Sequence, residues 1–182
     1  MRLCRAAGTI NLPASVSLVA AANPCPCGYR GHPTQPCGCS RGMMDRYWGR
    51  LSGPLLDRID LQIWLQPVDP GSLGAAPSGE ASEPIRRRVE TARARQQTRY
   101  RGRPLQTNAE LQGDSIRASA DPTPKALQLL ERVTERHGLS ARTWSRILKV
   151  SRTIADLDGS ERVEQPHILE ASAYRVAVGS AA

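Results

Sequence analysis

The sequence predicts an α/β segment followed by an all-α region, and three patterns support this. Residues Val16–Ala21 form an apolar run with β-branched members, typical of a buried, parallel strand. Residues Ile59–Leu65 alternate apolar and polar side chains, the period of a strand with one buried face. The last third repeats apolar residues at helical spacing between recognisable caps.

The elements before residue 104 follow from local composition. A loop dense in Cys, Pro and Gly covers 23–42, a short helix is predicted over Met43–Leu51, and Gly53 and Pro54 end it. Residues 67–84, rich in Pro, Gly, Ser and Ala, predict a flexible connection. An arginine-rich helix over 85–103 has a thin apolar face, so we expect it to project into solvent or lie against a polyanion.

The last third predicts three helices. Thr123 can cap the first, which Gly138 ends, and Ser140 can cap the second, which Gly159 ends. A third helix is expected over 166–176. Three basic residues share one face of the second helix: Arg142, Arg146 and Lys149.

The charge balance favours a polyanionic partner. The net charge is +8 with a sequence pI near 9.8, and Lys125 and Lys149 are the only lysines. Nucleic acid or nucleotide phosphate is the simplest such partner, although a genomic preference for Arg codons also explains the scarcity of lysine. No apolar run approaches the ~20 residues of a membrane span, and the N-terminus lacks a signal peptide's apolar stretch. We therefore expect a cytoplasmic protein without membrane contact.

Four cysteines in two C-x-C pairs predict a structural zinc site: Cys25, Cys27, Cys37 and Cys39. Four thiolates complete the tetrahedral coordination of zinc, and the neighbouring Pro and Gly residues supply the sharp turns that such pairs need. His32 can replace one cysteine, and the alternatives are free thiols or disulfides, which a cytosolic compartment disfavours. Cys4 lies outside the cluster and is expected to be a small buried residue.

Several stretches, in order along nearly the whole chain, resemble the magnesium-chelatase-like AAA-type ATPases of the ComM/YifB group. They are Leu18–Tyr29, Ser52–Asp60, Leu139–Arg142, Arg146–Leu148 and Ser151–Leu157. The resemblance implies an α/β partial AAA-type nucleotide-binding core, of which only the last strands are present, followed by an all-α helical lid. The core would occupy 1–66 with its Cys-rich loop at 23–42, the linker and helical insert 67–104, and the lid 105–182.

The resemblance also implies roles for three polar residues. Asn23 matches the sensor-one position, which orients the attacking water, although Asn before Pro also simply starts a turn. Arg58 matches the arginine finger that acts in the neighbouring subunit's site; alternatively it pairs with Asp57 or Asp60 on a surface. Arg142 matches the sensor-two position, which contacts the γ-phosphate; alternatively it is a solvated helix-face charge.

Two motifs that ATP hydrolysis needs are missing from this sequence. It contains no G-x-x-x-x-G-K-[ST] loop and no Asp-Glu pair, both of which lie upstream in the family. We therefore expect the C-terminal part of a motor that uses ATP and Mg²⁺ as a homo-oligomeric ring, expected to be a hexamer, on DNA, and no hydrolysis by this chain alone. The alternatives are a non-enzymatic zinc-loop module that binds nucleic acid, and a regulatory remnant.

Overall fold

The computed structural model describes residues 2–5, 8–11, 16–51, 53–68, 71, 74 and 79–176. They belong to two compact units, Met1–Trp48 and Gly49–Ala182. Within the described residues, regular structure consists of one two-stranded sheet and seven α-helices, so the chain is mostly helical. This content is consistent with the predicted partial α/β segment and helical region.

The first unit contains a small hairpin and one helix. Strands β1 (Arg2–Arg5) and β2 (Gly8–Asn11) pair antiparallel, with Arg2 opposite Asn11 and Arg5 opposite Gly8. Helix α1 (Arg41–Trp48) begins two residues before the predicted start. It starts there because Ser40 accepts the Met43 N–H through both its carbonyl and its hydroxyl oxygen.

The two strands predicted from apolar patterns are wrong. Val16–Ala21 and Ile59–Leu65 carry no strand ladder within the described residues. Most of their large apolar side chains are exposed, with Val19 at 95% and Leu65 at 82% exposure. A buried strand requires neighbours on both sides, and the described part of the chain supplies none, because β1 and β2 pair only with each other.

The second unit is built from helices. They are α2 (Gly53–Leu56), α3 (Ser82–Arg99), α4 (Ser115–Ala120), α5 (Pro124–His137), α6 (Ala141–Asp158) and α7 (Gln165–Val176). A 3₁₀ turn, Asn108–Glu110, lies between α3 and α4. Much of the predicted connection 67–84 lies outside the described residues, and its last three residues begin α3. None of the described helices combines the length and the apolar character needed to cross a bilayer.

The predicted helix caps are confirmed. The Thr123 hydroxyl accepts the Ala126 N–H at 3.3 Å, and the Ser140 hydroxyl accepts the Thr143 N–H at 3.2 Å. Gly138 (φ 57°) and Gly159 (φ 85°) end their helices in the left-handed region, where a Cβ is disfavoured. These local signals fix both ends of α5 and α6.

Helix α6 is the centre of the second unit and packs against α3, α4, α5 and α7. Its residues Ile147, Leu148 and Ala155 are fully buried, together with Leu130 of α5. Leu157, further along the same helix, is 46% exposed. The core is mostly aliphatic and includes the buried ring of Tyr100, 1% exposed.

Helix α3 is attached to α6 through polar groups, contrary to the prediction that it projects into solvent. Ala92 and Gln96 are buried, and the Arg99 guanidinium donates to Asp156 with Nη1···Oδ2 at 2.9 Å. Arg152 lies 3.0 Å from the same carboxylate and is itself buried. The apolar pattern underestimated the packing because charged side chains make this contact. The other arginines of α3 are exposed.

Candidate functional site

Arg58 lies at the end of a one-turn helix, on a loop that we call the 57–60 loop (Asp57–Asp60). The N–H groups of Asp57, Arg58 and Ile59 donate to the carbonyls of Gly53, Leu55 and Leu56 at 2.8, 2.9 and 3.1 Å. The Arg58 side chain is exposed, and its Nη1 donates to the Pro54 carbonyl at 2.9 Å. The loop therefore presents a guanidinium to solvent.

Arg175, in the last turn of α7, holds this loop from inside the unit. Its side chain is 5% exposed, and Nη1 donates to the Ile59 carbonyl, with the Leu56 carbonyl at 3.4 Å. Nη2 lies 3.5 Å from the Asp57 carbonyl and 3.7 Å from the Asp57 carboxylate. Burial lowers the pKa of Arg175, and the Asp57 carboxylate opposes that shift. A buried, paired guanidinium of this kind is costly to remove.

Helices α6 and α7 make further contacts with the loop. Arg146 forms an ion pair with Asp60, and the Thr143 hydroxyl lies 3.5 Å from the Asp57 carboxylate. Just beyond the loop, the Gln62 N–H donates to the Tyr174 carbonyl at 3.0 Å. Both carboxylates beside Arg58 are thus engaged by other arginines. Within the described residues Arg58 pairs with neither carboxylate. The alternative that Arg58 is simply one partner of a surface ion pair with Asp57 or Asp60 is therefore not supported.

Arg142 lies in the first turn of α6 and is exposed, with no ion-pair partner in the described part of the chain. The next residue, Thr143, is the one that approaches Asp57. The structure therefore brings the start of α6 next to the loop that carries Arg58. These two predicted site residues belong to one compact unit.

Asn23 belongs to the other unit, where its backbone anchors α1. The Tyr47 hydroxyl donates to the Asn23 carbonyl at 3.1 Å, and the Trp48 indole donates to the Pro24 carbonyl at 3.2 Å. The Asn23 residue is exposed. These contacts fix the chain direction at the start of the cysteine loop.

The four loop cysteines converge on one point. Their sulfur atoms all lie within 4.8 Å of one another, with Cys25–Cys27 at 3.3 Å and both of these 3.6 Å from Cys37. Gly28 (φ 83°) allows the turn between the pairs, and its N–H donates to the Cys25 carbonyl at 3.0 Å. Cys25 is fully buried and Cys39 half-buried. The cluster can therefore hold a metal ion.

The donor set fits zinc. Tetrahedral ligands at about 2.3 Å from zinc are about 3.8 Å apart, a value inside the range of these separations. The Tyr29 backbone N–H, helped by the Cys25 thiol, lowers the pKa of Cys27 to about 6. The Cys27 backbone N–H lowers the pKa of Cys39, but desolvation and the neighbouring cysteines outweigh it and raise that pKa to about 12. The Cys27 thiolate is thus ready for a cation, whereas the Cys39 thiol needs one to ionise fully.

The structure also tests the disulfide alternative, the possible role of His32 as a ligand and the expected burial of Cys4. All five are free thiols, so no disulfide forms. His32 lies outside the cluster, since its Nδ1 accepts the Gln35 and Thr34 N–H groups at 3.0 and 3.3 Å. The prediction that Cys4 is buried is wrong. It lies exposed on β1, and the residues of the paired strand β2 are exposed as well.

The sequence interpretation missed the contribution of Arg175. The one available signal was an arginine in the last turn of the predicted third helix, after three small residues, 171–173. Such a residue commonly contacts free helix-end carbonyls, but nothing nearby in sequence indicated which ones.

Comparisons with known proteins cover both units. Residues 1–73 match the family described as magnesium chelatase, subunit ChlI, and 79–175 match magnesium chelatase, subunit ChlI C-terminal. Competence protein ComM of Haemophilus influenzae is 40% identical over 97% of this chain and 34% of its own length. Protein YifB of Escherichia coli is 39% identical over 96% and 34%, and a Mycobacterium tuberculosis protein 40% over 87% and 31%.

This chain therefore spans about a third of the length of these curated relatives. The two family matches together cover nearly all of it, and the second match alone covers more than half. The chain belongs to the magnesium chelatase ChlI-like family, which includes ComM and YifB.

Proposed function

We propose that this chain is the finger-and-lid part of an AAA-type ATPase that works as a homo-oligomeric ring on DNA. The observation that carries the proposal is the exposed Arg58 on a loop whose neighbouring carboxylates are both engaged by other arginines. An arginine held in this way is available to a group outside its own subunit. Family membership favours the nucleotide bound by the next subunit as that group.

Each site residue has a defined task in this proposal. The planar guanidinium of Arg58 neutralises charge that develops on the transferred phosphoryl group. Arg142, exposed at the start of α6, contacts the terminal phosphate, and the Asn23 amide orients the attacking water. ATP and Mg²⁺ are held by other residues, because this sequence contains neither a phosphate-binding loop nor an Asp-Glu pair.

The proposal also accounts for the exposed apolar segments. We assign 1–66 to an AAA-type core with its Cys-rich loop at 23–42, 67–104 to a linker and arginine-rich helical insert, and 105–182 to the helical lid. In the assembled ATPase, other parts of the core cover the exposed apolar side chains of 16–21 and 59–65, such as Ile63, 63% exposed here. Relatives three times as long provide residues for that cover.

The test is ATP hydrolysis by a full-length chimera in which this chain replaces the matching third of H. influenzae ComM. The chain alone lacks the phosphate-binding loop, so it should not hydrolyse ATP. Hydrolysis by the chimera that depends on Arg58 supports the proposal. Hydrolysis by the chain alone, or by a chimera indifferent to Arg58, contradicts it.

A structural zinc ion in the Cys25–Cys39 loop is part of the proposal and is tested separately. We expect one zinc per chain by elemental analysis, and loss of that zinc in Cys25→Ser, because Cys25 is the buried member of the cluster. Cys4→Ser is the matched control and should retain the metal, since Cys4 lies outside the cluster. Equal zinc content in the two variants would remove the site.

A second candidate is a self-sufficient nucleic-acid-binding module. Exposed arginines on α3 and the net charge of +8 favour it. Arg86 and Arg93 are exposed without an ion-pair partner in the described part of the chain, whereas Arg87 pairs with Glu83 at 3.1 Å. The unpaired arginines are the ones free to contact phosphates.

Salt titration of DNA binding by this chain distinguishes the two candidates. If the chain binds DNA by itself, log K should fall as log salt rises. Replacing Arg86 and Arg93 with Gln should then reduce the magnitude of this negative slope by about 2, one for each lost phosphate contact. Arg87→Gln is the matched control and should change the slope by less, because Arg87 already has an acidic partner. A Kd that stays weak at low salt would eliminate the self-sufficient binder.

A further inference from the structure

We propose that Arg175 is the positioning residue for Arg58: it holds the backbone on both sides of Arg58 and so fixes the direction in which that side chain leaves the protein. This inference rests on the proposed function, since it names the residue that orients the proposed finger. It concerns a contact between α7 and a loop far away in sequence.

The contacts bracket Arg58. Arg175 Nη1 donates to the carbonyl of Ile59, the residue after Arg58, and Nη2 lies 3.5 Å from the carbonyl of Asp57, the residue before it. The Leu56 carbonyl, 3.4 Å away, completes the set. A single planar guanidinium thereby reaches the peptide groups on both sides of Arg58, which the single ammonium of a lysine cannot do in the same way.

The loop depends on this contact because its own helix is short. Helix α2 has four residues, and one helical turn has little stability of its own in water. The turn bonds of α2 end at the Ile59 N–H, and Arg175 adds side-chain donors beyond them, to the Leu56 and Ile59 carbonyls. The side chains of Arg175 and Asp57 are 5% and 40% exposed, whereas those of Arg146 and Asp60 are 20% and 52% exposed. Arg175 is therefore the more buried of the two attachments and the one less weakened by solvent.

Arg175 also contacts the helix turn that carries Arg142, the second arginine of the proposed site. Thr143 lies 3.3 Å from Arg175 Nη2 and follows Arg142 on α6. The guanidinium of Arg175 therefore contacts both the loop of Arg58 and the first turn that carries Arg142. Movement of α6 and α7 should carry Arg58 along with it.

The first test uses this chain and measures hydrogen exchange of the amides in 56–62. In Arg175→Gln these amides should exchange about 10-fold faster, because a hydrogen-bonded charged group is lost. Arg162→Gln is the matched control: it removes an exposed ion pair with Asp121 and should leave exchange in 56–62 within about 2-fold of the wild type. If Arg175→Gln unfolds the unit, Arg175→Lys keeps the charge and decides the question. Unchanged exchange in a folded Arg175 variant would overturn the inference.

The second test uses the full-length chimera. Arg175→Gln should lower kcat for ATP about 10-fold and leave KM nearly unchanged, since it misplaces a group needed only in the transition state. Added to Arg58→Ala, it should cost nothing further, because a residue that acts through Arg58 has no effect once Arg58 is gone. Equal losses in both backgrounds would make Arg175 merely structural. If Arg58→Ala alone leaves kcat unchanged, the proposed function fails, while hydrogen exchange still decides whether Arg175 holds the loop.

Discussion

Replacing Arg58 with alanine in the full-length chimera should lower kcat for ATP hydrolysis about 1,000-fold, with little change in the KM for ATP. An arginine finger stabilises charge that appears only in the transition state, and its loss typically costs 10³–10⁵ in rate. The side chain is exposed and its loop is held through Arg175 and Arg146, so truncation at Cβ should leave the fold intact. Steady-state kinetics and a thermal melt check both statements.

Mixed rings test whether Arg58 acts in the neighbouring subunit. Chimera subunits with Arg58→Ala, mixed with subunits that lack the lysine of the phosphate-binding loop, should regain hydrolysis, because each inactive partner supplies what the other lacks. Arg132→Ala, which removes an exposed arginine on α5, is the matched control and should keep full activity. A loss below about 10-fold in Arg58→Ala, or equal losses in both variants, would contradict the finger assignment.

The helical half could be predicted from the sequence because its signals are local. The side chains of Thr123 and Ser140 each accept the backbone N–H three residues further along the chain. Gly138 and Gly159 end the same helices through their own backbone conformation. None of these depends on a distant part of the chain. The predicted apolar repeat at helical spacing is equally local, and Ile147 and Leu148 of α6, which belong to it, are fully buried.

The strand predictions failed because an apolar pattern describes a surface that needs a partner. Val16–Ala21 has the composition of a buried strand, but burial is supplied by neighbouring strands, which the described residues do not contain. The segment is therefore exposed and forms no strand. Composition alone therefore indicated that this segment suits a buried strand, but not whether neighbouring strands are present to bury it.

One part of the candidate site could be predicted from local sequence and another part could not. The cysteine cluster was predictable because both C-x-C pairs lie within fifteen residues of sequence, from Cys25 to Cys39, and the turns between them are made by Pro and Gly. The attachment of the 57–60 loop was not, since Arg175 is 116 residues from Ile59. A long-range contact between a guanidinium and backbone carbonyls leaves no pattern in the sequence.

Replacing Asp156 with alanine should lower the free energy of unfolding by about 3–5 kcal/mol, the usual cost of removing one partner from a buried ion pair. Its carboxylate accepts from Arg99 and Asn108 at 2.9 Å and lies 3.0 Å from Arg152, which is 1% exposed. Without it, a buried guanidinium loses its counter-charge. Asp121→Asn is the matched control, because the Asp121–Arg162 pair is exposed and should contribute at most about 1 kcal/mol. Urea unfolding of both variants measures the difference.

A second variant, Asp156→Asn, removes the charge but nearly keeps the side chain's shape, and the pH dependence of its loss of stability tests the electrostatic origin of the effect. Burial alone would raise the pKa of Asp156, but the hydrogen bonds from Arg99 and Asn108 and the charge of Arg152 outweigh it and hold the pKa below its ordinary value. A lowered folded-state pKa means that the stabilisation is present above the unfolded pKa, roughly 4, and is lost as pH falls through the folded value. The stability gap between the wild type and Asp156→Asn should therefore be constant from pH 7 to 5 and shrink below about pH 4. A gap that stays the same in acid would assign the loss to packing around α3 and α6, and the charge network would then contribute nothing to holding them together.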